Sequence, residues 1–259
     1  METFEKLKQK VASGSLIVIF FLLWELLCIG LNISEIVLPR PSQAMEVLIL
    51  RFPELFPHVV QTLMTTLVGF SLGVVVAVLI GSLVGSSRIA YDTVYPLLVG
   101  FSSIPKVAVV PIFVLWFGSG TLPAVLTSFV ICIFPIIVNV ATGLATTEPE
   151  LEDVLKALGA KRREILWNVG LPRAMPYFFA SLKVAITLAF VGTVLAETIA
   201  SNQGIGNVMM IATSSFDVPL VFANLFLLAF LGIILYVIFS VIERRVTGWA
   251  MRKSDLSTA

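Results

Sequence analysis

Four ionisable side chains, Glu25, Lys106, Lys183 and Glu197, stand inside long apolar runs of this sequence. A charge at the centre of a membrane-spanning helix costs about 2.5–3.5 kcal/mol on insertion scales. Each therefore needs a partner, a route to the interface, or a task. The chemistry open to them is electrostatic: drawing an ion, pairing across helices, or fixing a helix end. Lys106 follows Pro105 at a break in its run, where an ammonium can draw an anion along a path or reach water by its own length. Lys183 lies roughly ten residues beyond Arg173, about 15 Å along a helix, and there pairing or packing is expected. Glu197 precedes the polar stretch SNQGIGN and reads either as part of a gate or docking surface, or as a helix end. For Glu25 a pairing or interfacial role is expected.

No other reactive constellation is present. A single histidine, His58, excludes a multi-histidine metal or haem centre, and it reads as a polar residue at the membrane interface. Cys28 and Cys132 lie in apolar runs without a CxxC or Cys/His cluster, so neither a disulfide framework nor a zinc site is indicated. The phosphate-cradling pattern G-x4-G-K-[ST] does not occur, hence no ATP site is expected on this chain. The reading is of a chain that is not itself an enzyme, with no catalytic residue and no metal or cofactor of its own.

The elements that hold these residues are membrane helices. The chain is 58% hydrophobic and 13% charged, with a mean hydropathy of +1.02. Those values mark an all-α polytopic membrane protein. A net charge of +1 gives no electrostatic footprint for nucleic acid. A spanning helix needs about 20 mostly apolar residues. Runs fit near 15–31, 59–85, 94–117, 121–145, 173–198 and 218–242, about six spans. No small-residue cleavage site follows the first, so an uncleaved helix is expected rather than a signal peptide. The second carries Gly69-x3-Gly73 and Gly81-x3-Gly85, spacing that permits close helix packing. The third is interrupted by Pro105 and Pro111, so a kinked or broken helix is expected.

Lysine and arginine are lopsided. Lys6, Lys8, Lys10, Arg88, Lys156, Lys161, Arg162, Arg163, Arg173, Arg244, Arg245, Arg252 and Lys253 fall on one side, and Arg40 and Arg51 on the other. The positive-inside rule makes the first side cytoplasmic. The expected organisation is a cytoplasmic tail 1–14, a peripheral helix 15–31, a periplasmic segment 32–57, a core 58–243 and a cytoplasmic tail 244–259.

The charged stretch 146–172 is then a cytoplasmic loop between spans four and five. Thr147-x-x-Glu150 can form a capping box, with Pro149 tolerated in the first turn. Leu151, Val154, Leu155 and Leu158 follow amphipathic helical spacing, and Gly159 ends the helix. A second short amphipathic segment carries Ile165, Leu166 and Val169. Two uses fit this design: a helix resting on the lipid surface, or one whose apolar stripe fills a groove on a cytoplasmic partner.

Gly159, nine residues, then Val169-Gly170-Leu171-Pro172, with Asp153-Val154-Leu155 upstream, resembles the EAA loop of ABC-importer permeases of the nitrate/sulfonate/taurine type, where Glu-Ala-Ala is expected at the upstream position. Leu38-Pro39-Arg40-Pro41-Ser42 resembles the family's L-P-x-P-S after the first span. Ile104-Pro105-Lys106-Val107-Ala108, Pro111 and Trp116-Phe117-Gly118 resemble I-P-x-x-A-x-x-P-L-x-x-x-W-F-G. Ala196-Glu197 followed by Gly204-Ile205-Gly206 resembles A-E…G-L-G.

The resemblance implies a type I ABC-importer permease fold with a cytoplasmic coupling helix, in a bacterial inner membrane with both termini cytoplasmic. It implies a second permease copy, most simply a homodimer. It also implies two cytoplasmic ATPase subunits that hold ATP and Mg, and a periplasmic or lipid-anchored solute-binding protein. Glu150, Leu151, Asp153, Val154, Leu155, Leu158, Gly159, Ala160, Leu171 and Pro172 would couple to the ATPase. Ser102, Lys106, Asn139 and Glu197 are the candidate path for a small solute, an anion on the evidence of Lys106 and of the family's range. The competing functions are a secondary transporter and a non-transporting subunit of a larger membrane complex. Paired intramembrane acids and an internal repeat would mark the former, and neither is evident.

Overall fold

In hydrocarbon every backbone polar group must be satisfied within the protein, so apolar runs become helices. The computed structural model describes residues 2–146, 154, 155 and 157–251, and among these there is no strand. Helix α1 spans Glu2–Gly30, α2 Pro41–Gly85 and α3 Arg88–Ser102. A 3-10 turn, Lys106–Val109, leads into α4, Val110–Phe117. Then come α5, Thr121–Ala145, and a short α6, Arg162–Ile165, which passes through a π turn, Leu166–Gly170, into α7, Leu171–Ala200. Last are α8, Ile205–Ser214, and α9, Val218–Met251.

Four helices, α2, α5, α7 and α9, are long and apolar enough to cross a membrane. The pair of α3 with the 3-10 turn and α4, its arms bent by 78°, passes the same test only together, as a broken span or a re-entrant loop. The described residues thus hold four spans, or five with this pair, against about six expected. The apolar part of α1, Gly14–Gly30, is shorter. The expected break in span three falls at Ser103–Pro105.

The apolar run expected near 59–85 lies within a longer helix: α2 begins at Pro41 and runs 45 residues. That is about 67 Å at 1.5 Å per residue, twice the roughly 30 Å of hydrocarbon. Residues 41–57 are therefore a helical extension of the span and not an irregular segment. Its start is pinned by α1: Ser42 donates to Glu25 through its backbone N–H (3.1 Å) and its hydroxyl (2.7 Å). A carboxylate at a helix N-terminus meets both the orphan donors and the dipole. Its flank is tied to the α8–α9 turn by Arg51 and Asp217, 3.3 Å apart.

The centre of the bundle is the contact of α2 with α5. Gly69, Gly73, Ala77, Gly81 and Gly85 recur every fourth residue of α2, and all are buried. A Cβ on Gly69 would lie 2.6 Å from the Val125 carbonyl, and one on Gly85 2.7 Å from the Ala141 carbonyl. Gly73 and Gly81 face Cys132 and Val140 in the same order. The two helices thus run parallel at close approach. On its other flank α5 meets α7, where Gly143 abuts Ala174 and Gly192 abuts Ile131. Fully buried Ile136 and Ile186 fill the interior.

Helices α1 and α9 form an outer layer whose large apolar side chains stay exposed, as lipid contact requires. Trp24 of α1 meets Phe222 and Phe226 of α9 with ring centroids 5.5 and 5.9 Å apart. Lys183 of α7 forms an ion pair with the buried Glu243 of α9. The charge of Lys183 is thereby neutralised inside the bundle.

Two outcomes follow from this packing. Gly69→Ala should lower stability by about 1–3 kcal/mol through overpacking, whereas Gly248→Ala, with no neighbouring heavy atom within 4 Å, should be neutral or slightly stabilising. Thermal unfolding midpoints in detergent compare them. Lys183→Met should cost about 3 kcal/mol by stranding Glu243, and adding Glu243→Leu should recover most of it; a double-mutant cycle reads the coupling.

Candidate functional site

The break after α3 shapes a cleft. The chain turns at Ser103, and the last carbonyls of α3 lose their helical donors. Lys106 returns to fill one of them, donating from Nζ to the Ser102 carbonyl at 2.8 Å. A cation there also meets the negative end of the α3 dipole. The same ammonium lies 5.3 Å over the Phe134 ring, which stacks with Phe101. Cation–ring attraction of this kind is worth about 0.5–2 kcal/mol.

Around Lys106 opens a cleft of about 540 Å³. Val99 and Ser102 of α3, Ile131, Pro135 and Val138 of α5, and Leu188, Val191 and Leu195 of α7 form its walls, with Val107 beside the lysine. The α5 and α7 residues recur at helical spacing, so each helix gives one face. The walls are apolar apart from Ser102 and Lys106. An ammonium has three donors. Among the described residues Lys106 uses one, on a carbonyl, and no carboxylate pairs with it. Lys183, the other intramembrane lysine, is paired with Glu243.

Of the residues expected along a path, Ser102 and Lys106 line this cleft. Asn139 follows Val138 in the wall, but its amide turns back to the Pro135 carbonyl at 2.8 Å. Glu197 stands apart, at the opposite end of the bundle from the 146–172 loop. At 1% exposure it presents no surface to a docking protein.

Glu197 Oε2 accepts from the Thr62 hydroxyl (2.8 Å) and from the Gly206 N–H (3.1 Å). Thr62 Oγ1 accepts in turn from the Ile205 N–H at 2.9 Å, and His58 Nδ1 accepts from the Gly204 N–H at 3.1 Å. Helix α8 starts on a glycine and has no cap of its own. Its orphan donors are received by α2 and α7 instead. Gly204 adopts φ +102, and a Cβ there would run into the Glu197 carboxyl. This explains the spacing of the Ala-Glu…Gly-Ile-Gly motif. Next to it, Ala196 packs with Val110 and Ala124, so α4 and α5 close on the same point. The roles of His58 and Thr62 were missed; their i, i+4 spacing in an apolar helix was the available signal.

In the loop, Glu150, Leu151 and Asp153, with the expected capping box, lie outside the described residues. Residues 154, 155 and 157 are helical. The helix ends at Gly159, φ +85, with Ala160 N–H on the Leu155 carbonyl at 3.0 Å. That 6→1 bond around a left-handed glycine is a Schellman cap. Val154 and Leu158, one turn apart, are 56% and 78% exposed, an uncovered apolar pair. Leu155 is half-buried. Ile165 is buried and anchors α6. From Arg162 the backbone stays helical through the π turn into α7, with Pro172 in the first turn and Leu171 exposed. The loop is thus continuous with a transmembrane helix.

Known proteins resemble this chain in sequence and in fold. The formylaminopyrimidine transport permease protein of Halalkalibacterium halodurans is 34% identical over 62% of this chain and 64% of its own length. The riboflavin transport system permease protein of Chloroflexus aurantiacus is 35% identical over 60% of this chain and 58% of its own. The chain thus spans about three fifths of the length of these two relatives. The taurine transport system permease protein of Escherichia coli is 25% identical over 91% of this chain and 88% of its own. Among solved structures, an inward-facing form of the MetNI methionine ABC transporter shares the fold, with TM-score 0.65 and 21% identity over 74% of this chain and 96% of that one. The model of the binding-protein-dependent transport system inner membrane component matches residues 69–248. Four matched motifs, a capped loop continuous with α7 and a family match over more than half the chain lead to one conclusion: the chain belongs to this family, the permease subunits of ABC importers.

Proposed function

We propose that this permease works as one of two identical copies in a bacterial inner membrane and passes a small anionic solute past Lys106. The observation that carries the reading is the contrast between two lysines. Lys183 is neutralised by Glu243, whereas among the described residues Lys106 has a carbonyl and a ring as partners and faces a cleft. A cation without a paired carboxylate attracts an anion. Ser102 lines the same cleft, and Asn139 follows the wall residue Val138. Two relatives are named for taurine and aliphatic sulfonates, solutes whose shared group is the sulfonate anion.

The drive comes from outside the chain. The helix around Val154, Leu155 and Leu158, with Glu150, Leu151 and Asp153 before it and Gly159 and Ala160 after it, sits in a cleft on a cytoplasmic ATPase that binds ATP and Mg. Leu171 and Pro172 join that contact to α7. A solute-binding protein delivers the cargo at the far end of the bundle. The exposed Val154 and Leu158 support a protein groove as the resting place of the stripe.

Two substitutions test these claims. Lys106→Ala should lower uptake of its solute, screened first among alkyl sulfonates and aromatic acids, by about tenfold, or 1.4 kcal/mol. Lys106→Arg should keep most of it, and unchanged uptake by the alanine variant would remove the anion reading. Leu155→Asp should insert normally yet fail to retain an ATPase during purification and abolish uptake; wild-type uptake would return the loop to a lipid-surface role.

A further inference from the structure

Helix α8 is held at its start by side chains that are not its own. Three successive amides, Gly204, Ile205 and Gly206, donate to His58, Thr62 and Glu197. The turn before it, Ser201–Gly204, is knitted locally by Asn207 Nδ2 on the Ser201 carbonyl at 2.6 Å. The one side chain of α7 that reaches across to both α8 and α2 there is Glu197, through a single oxygen. Its Oε1 is buried and has no partner among the described residues. The other end of α7 continues from the 146–172 loop without interruption. The whole of α7 is 30 residues, about 45 Å long, with Glu197 in its last turn.

We propose that Glu197 is a positioning residue that carries movement of the loop end of α7 to the far end of the permease. A shift imposed on α7 reaches α8 by two routes, a turn containing a glycine at φ +102 and the Glu197 clasp. The turn can absorb displacement by rotating its backbone. The clasp cannot, because the carboxyl is enclosed by Thr62 and by the backbone of Gly204 and Gly206. The clasp therefore makes α2, α7 and α8 one body at that end. This inference rests on the reading of the loop as the ATPase contact.

The test uses the whole complex purified from its native membrane, with ATP and vanadate as the probe, so no solute is required. Native Cys28 and Cys132 are buried. Spin labels on Ser214→Cys, at the end of α8, and on Trp167→Cys, at the loop end, report distances between the two copies. In the wild type, trapping nucleotide should shift both distances. Glu197→Ala should keep the shift at Trp167→Cys and lose that at Ser214→Cys. Glu197→Gln should restore it, because its carbonyl can occupy the Oε2 position and its amide the position without a partner. If the alanine variant does not accumulate, Glu197→Met, of similar length and without the carboxyl that accepts from Gly206, gives the same readout. Equal shifts at both labels in Glu197→Ala or Glu197→Met, or no shift at Ser214→Cys in the wild type, overturn the clasp. No shift at either label in the wild type overturns the ATPase reading as well.

Discussion

Hydrocarbon offers no hydrogen bonds, and the rest of this structure depends on that. Several charged groups inside the bundle are answered by another part of the chain, although Glu197 Oε1 and the amide of the buried Asn224 have no partner among the described residues. Glu25 caps α2, Glu243 neutralises Lys183, and Glu197 with Thr62 and His58 receives the donors of α8. The broken span obeys the same demand, for Lys106 returns to cover a carbonyl that the break exposed. What distinguishes Lys106 is that the answer is incomplete: a carbonyl and a ring face are its partners, and a cleft stands beside it. Buried ionic groups held in pairs contribute to architecture. A charge left short of a partner within a membrane is where a solute can be recognised.

Close packing supplies what polar pairing cannot. In lipid no hydrophobic effect drives helices together, and small residues that permit backbone approach take over. The four-residue stripe from Gly69 to Gly85 lets α2 lie against α5, and α5 in turn carries α7. This places the cleft walls, since α5 and α7 each give it one face. It also makes α7 a rigid connection between the loop and the far end.

Much of this was legible in the sequence. The apolar runs gave four of the six expected spans outright and a fifth as a bent pair, Pro105 gave the break, Gly159 the end of the loop helix, and the Lys183 position its need for a partner. Hydropathy did not show that α2 extends back to Pro41, because residues 41–57 form a helix without being apolar enough to resemble a span. Glu197 stands in the last turn of α7, as one of its two readings had it, but its bonds were not legible. A sequence shows an acid before a glycine-bearing stretch, but the carboxyl's burial depends on Thr62, far away in the chain, which no local pattern joins to it. Phe134 over Lys106 is a contact of the same kind. Local signals report helices and their ends; the partners of buried charges are set by tertiary packing.

The central claim is that a separate ATPase drives this permease through the 146–172 loop. Its most direct test is gentle purification of the chain from its native membrane, mass spectrometry of what accompanies it, and transport by the reconstituted complex. The account predicts a stoichiometric nucleotide-binding ATPase and uptake that requires ATP. A chain that purifies alone and transports in proteoliposomes without ATP would contradict it.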